Sequence, residues 1–216
     1  MFPDNPMQPV ARTRAGFTLV EVIVVLAVVL LLTGIAVPMI SGYMEDGRRA
    51  RAAAEVKVLA SSIASFYKDV GTYPTRNSSG TAGGINLLVS GSSLPSSSPW
   101  IGNSAFATWA TSSSTADVMD NQLLANTPGG QSSAAYPTTG SNRWRGPYLA
   151  GPSPLDPWGR PYIANVISSF STNSTNYKRM YVLSAGPNGR FDTPASATAT
   201  ADIADDDIGV ILHVRQ

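Results

Sequence analysis

The stretch Ala15-Gly16-Phe17-Thr18-Leu19-Val20-Glu21 opens an apolar run that continues to Val37 and contains Glu21 as its only charged residue. Phe17 to Val37 spans 21 residues. An α-helix needs roughly 20 residues to cross a hydrocarbon core about 30 Å thick. The run therefore predicts a membrane-spanning helix and not a core strand.

The residues that flank the run indicate how its leader is removed. A secretory signal peptide has a small-x-small cleavage site after its apolar part, and no Ala-x-Ala pattern immediately follows Val37. The small residues Ala15 and Gly16 instead precede the run. A cut after Gly16 would remove a polar leader, residues 1–16, and leave the helix attached with Phe17 at its new N-terminus.

Glu21 places a carboxylate in an apolar segment, which costs roughly 2.5–3.5 kcal/mol on insertion scales and usually reflects a specific partner. After a cut at Gly16, the α-amine of Phe17 lies four residues back on the same helix face. The amine of the same copy or of a neighbouring copy can pair with Glu21. A pair between copies would set the stagger of a helical array, because apolar contacts in lipid fix register poorly. The alternative is that Glu21 reaches the headgroups and has no such role.

Composition excludes several classes of function. The chain has 15 basic and 14 acidic residues among 216, a net charge of +1, and therefore lacks the basic footprint of a nucleic-acid-binding protein. It has no cysteine, so packing or a metal must stabilise any soluble domain. With a single histidine, His213, and no Gly-x-Ser-x-Gly pattern, nucleophilic catalysis lacks its usual parts, and we expect no enzyme.

The helical pattern continues beyond the apolar run as a single stripe on one helix face. The residues of this stripe are Val56, Leu59, Ile63, Phe66, Tyr67 and Val70. Gly71 is placed as a C-terminal cap, so one near-continuous helix is predicted from about Phe17 to Val70. Pro38 removes one backbone hydrogen bond, and we expect the helix to bend or loosen there.

Short strands and turns are predicted near the C-terminus. The turn Asp156-Pro157-Trp158-Gly159 precedes a strand candidate at 161–166, and two more follow at 178–184 and 208–214. The predicted fold is α+β: a long N-terminal helix, transmembrane and then amphipathic, packed on a small C-terminal antiparallel β-sheet.

Residues 76–142 are rich in Ser, Thr and Gly, with Asp117 and Asp120 as the only charged residues from Asn77 to Asn142. We interpret this part as a surface insertion with two short helical candidates, Ile85–Val89 and Asp117–Leu124. Such a surface could face other subunits, glycans or cargo, or it could be a solvated loop. The predicted organisation is a leader (1–16), a transmembrane and polymerisation helix (17–37), its amphipathic continuation (38–75), the insertion (76–142) and a β-sheet head (143–216).

An acid-rich segment lies before the last predicted strand. Asp205, Asp206 and Asp207 are consecutive, and Asn188 and Asp192 come from the preceding loop. Clustered carboxylates repel one another, and a hard cation with about 6–8 oxygen ligands removes that strain. On composition alone, a calcium site and a solvated acidic turn remain equally possible.

The N-terminal motif resembles the class III leader of type IV prepilins, with Gly16-Phe17-Thr18-Leu19-Val20-Glu21 followed by Pro38. The resemblance implies that prepilin peptidase cuts between Gly16 and Phe17 and N-methylates Phe17. It also implies that Glu21 is needed for assembly, and that Pro38 marks a place where the packed helix melts locally.

The C-terminal half is similar to the globular domain of the G-type major pseudopilins of type II secretion systems. The similar residues are Leu155 to Tyr162, Leu183 to Gly189 and Asp206-Asp207-Ile208-Gly209. This resemblance implies a calcium site made by the main-chain carbonyl of Ala185 and by Asn188, Asp206 and Asp207. Two departures are that Asn188 stands where the family usually has an aspartate, and that the loop after Gly189 is longer. We expect Asp192 or Asp205 to compensate.

The resemblance implies that the chain is a structural subunit of a secretion pseudopilus. Before assembly, one transmembrane helix would lie in the inner membrane and the C-terminal domain in the periplasm. After assembly, the subunit would be part of a periplasmic or extracellular filament. The implied partners are further copies of the chain, minor pseudopilins, the inner-membrane assembly platform and prepilin peptidase. One alternative is a surface-exposed type IV pilin for adhesion or motility. Another is a membrane-anchored calcium-binding domain that does not polymerise.

Overall fold

The computed structural model describes residues 16–94, 116–166, 179–193 and 202–214. Most of the predicted leader, residues 1–15, lies outside this part, as does the side chain of His213. The chain divides into two compact units after Glu45, and helix α1 (Leu19–Val70) contributes to both.

In the first unit, α1 exposes its apolar side chains. Leu19 is 75% exposed, Leu30 is 72% exposed, and the most hydrophobic window of the helix has none of its residues buried in the protein. Among the described residues this is the one helix long and apolar enough to cross a membrane. The core helix of a globular domain would bury these side chains. Their exposure therefore agrees with the predicted membrane span.

Helix α1 is assigned without interruption through Pro38, whose side chain is outside the described part of the structure. The expected bend or loosening at this position stays a prediction. The observed boundaries, Leu19 and Val70, agree closely with the predicted helix from about Phe17 to Val70.

In the second unit, the amphipathic half of α1 packs on the head. Val56, Ile63 and Phe66 are fully buried, as the spacing predicts. Tyr67 is an exception: it is 45% exposed and stacks on Tyr73 with a ring-centroid distance of 4.5 Å. Its assignment to the buried stripe was wrong, because near the end of α1 the rest of the domain covers Phe66 and Val70 but leaves Tyr67 partly exposed.

Gly71 ends α1 as predicted. Its φ is +77°, and its N–H donates to the carbonyl of Tyr67 at 2.8 Å. A left-handed residue at this position is the usual glycine cap.

In the structure the head comprises the described residues after α1 and not only residues 143–216, and it contains a five-stranded sheet in the order β2-β1-β3-β4-β5. Its strands are β1 (Leu87–Val89), β2 (Ala116–Val118), β3 (Ile163–Asn165), β4 (Arg179–Ser184) and β5 (Ile208–Val214). The last three confirm the strand candidates at 161–166, 178–184 and 208–214. The predicted α+β architecture is therefore confirmed.

Two sequence predictions need correction. The segment Ile85–Val89 is not a helix but contains β1, and Asp117–Leu124 is divided between β2 and a short helix, α2 (Met119–Leu123). The sheet is mixed and not wholly antiparallel, because β1 and β2 pair in parallel. Three consecutive apolar residues are typical of a strand that is covered on both faces. A run this short is equally compatible with a buried helical turn, so periodicity does not distinguish the two.

Both faces of the sheet are covered. Leu88 faces the cluster that contains Phe66 and the rest of the buried stripe of α1, whereas Leu87 and Val89 face a second cluster with Tyr181 and Phe191. The alternation follows from the period of two along a strand.

The described part of segment 76–142 is not a surface insertion. It supplies β1 and β2, and it buries Tyr136 (3% exposed) against Phe66 in an edge-to-face contact at 4.9 Å. Asp117 is buried as well, and its carboxylate accepts hydrogen bonds from Gln122 Nε2 (2.6 Å) and the Gly129 N–H (2.8 Å). Two of the five strands come from this segment, which was predicted to be a surface insertion with two short helices.

Candidate functional site

The predicted cleavage point is accessible. Gly16 and Phe17 precede the first residue of α1, Phe17 is 84% exposed, and no atom lies within 4 Å of a Cβ built on Gly16. A peptide outside regular secondary structure and without close neighbours among the described residues is suited to entry into a peptidase active site.

Glu21 lies in the first turn of α1 and is exposed. Its N–H donates to Thr18 Oγ1 at 3.2 Å, so Thr18 satisfies one of the free amides at the helix start. The carboxylate is close to the positive end of the helix dipole and to the amine that a cut after Gly16 would create.

The second site is an acidic loop in the head. One carboxylate oxygen each from Asp192, Asp205 and Asp206 lies within 4.8 Å of the other two. Two unit charges at this separation repel by about 1 kcal/mol in water and by about 3.5 kcal/mol at an effective dielectric constant of 20. Since the cluster is at the surface, the lower value applies to each pair. The structure thus brings together three of the six predicted metal ligands.

Asn188 contacts this cluster directly. Its Nδ2 donates to Asp192 Oδ2 at 2.8 Å and to Asp206 Oδ1, and its backbone N–H donates to Asp206 Oδ2 at 2.9 Å. Its Oδ1 accepts from the N–H of Arg190 at 2.6 Å. In the described structure, therefore, Asn188 presents hydrogen-bond donors to the acids and not the ligand oxygen that the resemblance implies.

Asp207 has a different role from its neighbours. It is outside the three-carboxylate group, and its Oδ2 accepts the N–H groups of Asp192 (3.0 Å) and Thr193 (2.7 Å). Its Oδ1 is buried and has no hydrogen-bond partner among the described residues. Burial raises the pKa of Asp207 to about 6, although hydrogen bonds from Thr193 lower it, and the nearby Asp192 carboxylate raises it further.

The main-chain carbonyl of Ala185 is used within the turn, where it accepts the N–H of Gly189 at 3.2 Å. The next residue, Gly186, has a φ of +58°, and a Cβ at this position would lie 2.1 Å from the carbonyl oxygen of Asp206. Only glycine permits both this backbone angle and this approach. The turn after β4 and the acidic loop before β5 are thus in direct backbone contact.

Arg160 supports the same turn from another element. Its guanidinium donates to the carbonyls of Gly186 (2.5 Å) and Pro187 (3.2 Å). Sequence reasoning missed this role. The available signal was the position of Arg160 directly after the Asp-Pro-Trp-Gly turn, but its target comes from a segment 26 residues further along the chain.

Asp156 connects the Asp-Pro-Trp-Gly turn, Arg160 and the end of β4 through hydrogen bonds. Its Oδ1 accepts the N–H groups of Trp158 and Arg160, and its Oδ2 accepts the hydroxyl of Ser184 at the end of β4. The buried carboxylate therefore ties the turn to the strand that leads into the acidic loop.

The donor set fits a hard divalent cation. Three carboxylates converge. A fourth carboxylate, that of Asp207, accepts a hydrogen bond from the N–H of Asp192 and has a buried oxygen without a partner among the described residues. Oxygen ligands of this kind suit calcium, whereas a zinc site would require nitrogen or sulfur ligands. Asn188 is the exception, because its amide oxygen faces away from the carboxylates.

The two regions match separate family models. Residues 11–37 match a model described as the prokaryotic N-terminal methylation motif, and residues 119–205 match one described as type II secretion system (T2SS), protein G. The chain is type IV pilin-like and resembles the G-type pseudopilins. No curated protein and no solved structure gives a significant match.

The matched ranges locate the resemblance on this pilin-like chain. The first includes Gly16, Phe17 and Glu21, and the second begins at the first residue of α2 and ends at Asp205, one residue before Asp206. Both matched families are structural and not enzymatic, so the expectation that the chain is not an enzyme is confirmed.

Proposed function

We propose that this chain is a structural subunit of a type II secretion pseudopilus or a closely related filament. It is cleaved between Gly16 and Phe17, N-methylated on Phe17, and polymerised through its N-terminal helix. The observation that carries the proposal is helix α1, which exposes apolar side chains over its first half and buries one apolar face in the head from Ala52 to Val70. A free apolar half serves first as a membrane anchor and then as a packing surface for other copies.

In this proposal the subunit starts as a single-pass protein of the inner membrane, with the head in the periplasm. The assembly platform extracts it into a filament of identical subunits, with minor pseudopilins among its partners. The match to T2SS protein G supports the secretion assignment over a surface pilus.

Processing is tested by mass spectrometry of the N-terminal peptide from cells that contain a prepilin peptidase. We expect a peptide that starts at methylated Phe17. Gly16→Leu should block cleavage, whereas Gly34→Leu, a matched control inside the apolar helix, should be cleaved normally. Efficient cleavage of Gly16→Leu would contradict the proposed processing site.

Assembly is tested with Glu21→Ala and Glu21→Gln, examined by electron microscopy of sheared fibres. Both variants should be processed and inserted in the membrane but should form no filaments, because the register contact needs the charge. Val24→Ala, an exposed apolar position on the same helix segment, should still assemble. Normal filaments from Glu21→Gln would remove the proposed role of the carboxylate. If the unaltered chain forms no filaments in its own assembly system, the membrane-anchored calcium-binding alternative is favoured.

Deletion of the gene separates a secretion fibre from a surface pilus. A secretion subunit should leave folded exoproteins in the periplasm, and complementation should restore their export. Loss of surface adhesion or motility with normal export would favour the type IV pilin alternative. Neighbouring genes for a secretin with cargo enzymes, or for a retraction ATPase, give an independent indication.

We propose further that the acidic loop binds calcium and stabilises the head. The convergence of Asp192, Asp205 and Asp206 supports this. The melting temperature of the full chain in detergent should rise with calcium and fall with chelator. Asp206→Ala should lose the response to calcium, while Asp202→Ala, an exposed acid outside the group, should keep it.

Asp207→Ala has a different expected result. It should lower the melting temperature both with calcium and with chelator, because Asp207 Oδ2 accepts two backbone N–H groups whether or not a cation is bound. A melting temperature of the unaltered chain that is the same in calcium and in chelator would refute the calcium proposal.

A further inference from the structure

We propose that the side-chain amide of Asn188 closes the acidic loop in the metal-free state by substituting for a cation, and that calcium has to displace it. The geometry that carries this is the pair of hydrogen bonds from Nδ2 to Asp192 Oδ2 and Asp206 Oδ1. The amide nitrogen thus donates to two carboxylates from separate parts of the connection between β4 and β5.

The orientation of the amide follows from the charges around it. With Nδ2 towards the acids, two N–H dipoles meet two negative oxygens, and Oδ1 accepts the N–H of Arg190. The opposite orientation would place Oδ1 against two carboxylates and would leave the Arg190 N–H facing an amide nitrogen that cannot accept it. Without a cation, the observed orientation is therefore the favoured one.

The surrounding turn is fixed independently of any metal. Arg160 holds the carbonyls of Gly186 and Pro187, and the backbone of Gly186 touches that of Asp206. The backbone N–H of Asn188 also donates to Asp206. These contacts hold Asn188 opposite the acidic loop, so its side chain meets the carboxylates without reorganisation of the turn.

A cation that uses the same carboxylates competes with the amide. For Asn188 to contribute an oxygen ligand, its amide must turn, and the hydrogen bonds to Asp192, Asp206 and Arg190 must break. Two consequences follow: the metal-free head keeps a closed loop, and calcium binds less tightly than it would with a carboxylate at position 188, because affinity rises with ligand charge. The second consequence rests on the calcium site proposed above, whereas the first does not.

The test compares the full chain in detergent with Asn188→Asp, which replaces the amide donors by a fourth charge. In chelator, Asn188→Asp should lower the melting temperature by about 4 °C or more, because two charge-assisted hydrogen bonds become repulsions. Asn142→Asp adds the same charge at an exposed position outside the cluster and should change the melting temperature by less than about 2 °C. Asn188→Ala removes the donors without adding charge and should fall between the unaltered chain and Asn188→Asp.

Calcium titration provides the second readout. Asn188→Asp should bind calcium at least about tenfold more tightly than the unaltered chain and should gain more in melting temperature from it. Equal melting temperatures of Asn188→Asp and Asn142→Asp in chelator would overturn the amide bridge. Equal calcium affinities of Asn188→Asp and the unaltered chain would overturn the competition.

The failures of the two proposals are distinguishable. If neither protein responds to calcium, the calcium site is refuted, but the chelator comparison still decides whether the amide closes the loop. If Asn188→Asp does not fold in chelator, Asn188→Ala gives that decision, since a melting temperature equal to that of the unaltered chain would overturn the bridge.

Discussion

Replacing Asp156 by Ala removes one buried acceptor from three donors. Its Oδ1 accepts from the N–H groups of Trp158 (3.0 Å) and Arg160 (2.8 Å), and its Oδ2 accepts from Ser184 Oγ (2.8 Å). Asp156 is 4% exposed, so water does not replace the lost oxygens unless the turn opens.

The magnitude follows from these three contacts. A buried donor left without an acceptor costs about 1–3 kcal/mol. Since Trp158 and Arg160 are only partly buried, we use the lower end of this range for each contact and expect Asp156→Ala to lower the free energy of unfolding by about 3 kcal/mol. For a chain of this size, 1 kcal/mol corresponds to roughly 2–4 °C, which gives a fall in melting temperature of about 6–12 °C.

Two further variants apportion the effect. Ser184→Ala removes one of the three hydrogen bonds, together with the acceptor of the Gly186 N–H (3.2 Å), and should cost about 1–2 kcal/mol. Asp156→Asn keeps Oδ1 for the two N–H groups but presents Nδ2 to Ser184 Oγ, which already accepts the N–H of Gly186. The third hydrogen bond therefore loses its charged acceptor, and the cost should be close to that of Ser184→Ala.

The assay is thermal unfolding of the full chain in detergent, followed by near-ultraviolet circular dichroism, which reports the packing of the aromatic residues in the head. The expected order of melting temperatures is unaltered chain, then Ser184→Ala and Asp156→Asn together, then Asp156→Ala. If Asp156→Ala melts within 2 °C of Ser184→Ala, the two turn N–H groups do not depend on the carboxylate, and the reasoning is wrong.

Two other stability predictions use matched pairs and the same assay. Gly186→Ala should lower the melting temperature by more than Gly83→Ala does. Both glycines have positive φ, but the new Cβ at position 186 would lie 2.1 Å from the carbonyl oxygen of Asp206, whereas the new Cβ at position 83 would have no atom within 4 Å. Equal effects would show that the close approach is relieved at no cost. Phe66→Ala should lower the free energy of unfolding by about 3–5 kcal/mol, because the ring is fully buried. The adjacent Tyr67→Ala should lower it by less than about 1.5 kcal/mol, because that side chain is 45% exposed. Similar losses of stability would contradict the observed orientation of α1.

The elements that were predicted correctly are those whose structure is indicated by the pattern of nearby residues in the sequence. The apolar run after Gly16 and the spacing of Val56 to Val70 are patterns of helix period, and α1 reproduces them to within two residues at each end. The strand candidates at 178–184 and 208–214 likewise agree with β4 and β5. In each case the local pattern and the tertiary packing favour the same structure.

The prediction failed where pairing between distant segments decides the structure. Residues 87–89 are too short to distinguish a strand from a helical turn, and they become β1 because β3 and β2 offer edges on either side. Asp117 was placed in a helical candidate of a surface insertion, yet it lies in β2 and is buried, because Gln122 Nε2 and the N–H of Gly129 satisfy its carboxylate. Neither partner can be identified from local sequence.

By itself, the sequence determined an apolar helix with one carboxylate, preceded by a pair of small residues, and its amphipathic continuation. These features depend on helix period and transfer free energy, which are local properties of the chain. The tertiary structure decided what the acidic residues do. It brings the carboxylates of Asp192, Asp205 and Asp206 together, whereas Asp207 accepts backbone N–H groups and the Asn188 amide donates to the acids. The physical reason is that side-chain direction and loop contact depend on the packing of the turn on Arg160 and not on residue spacing.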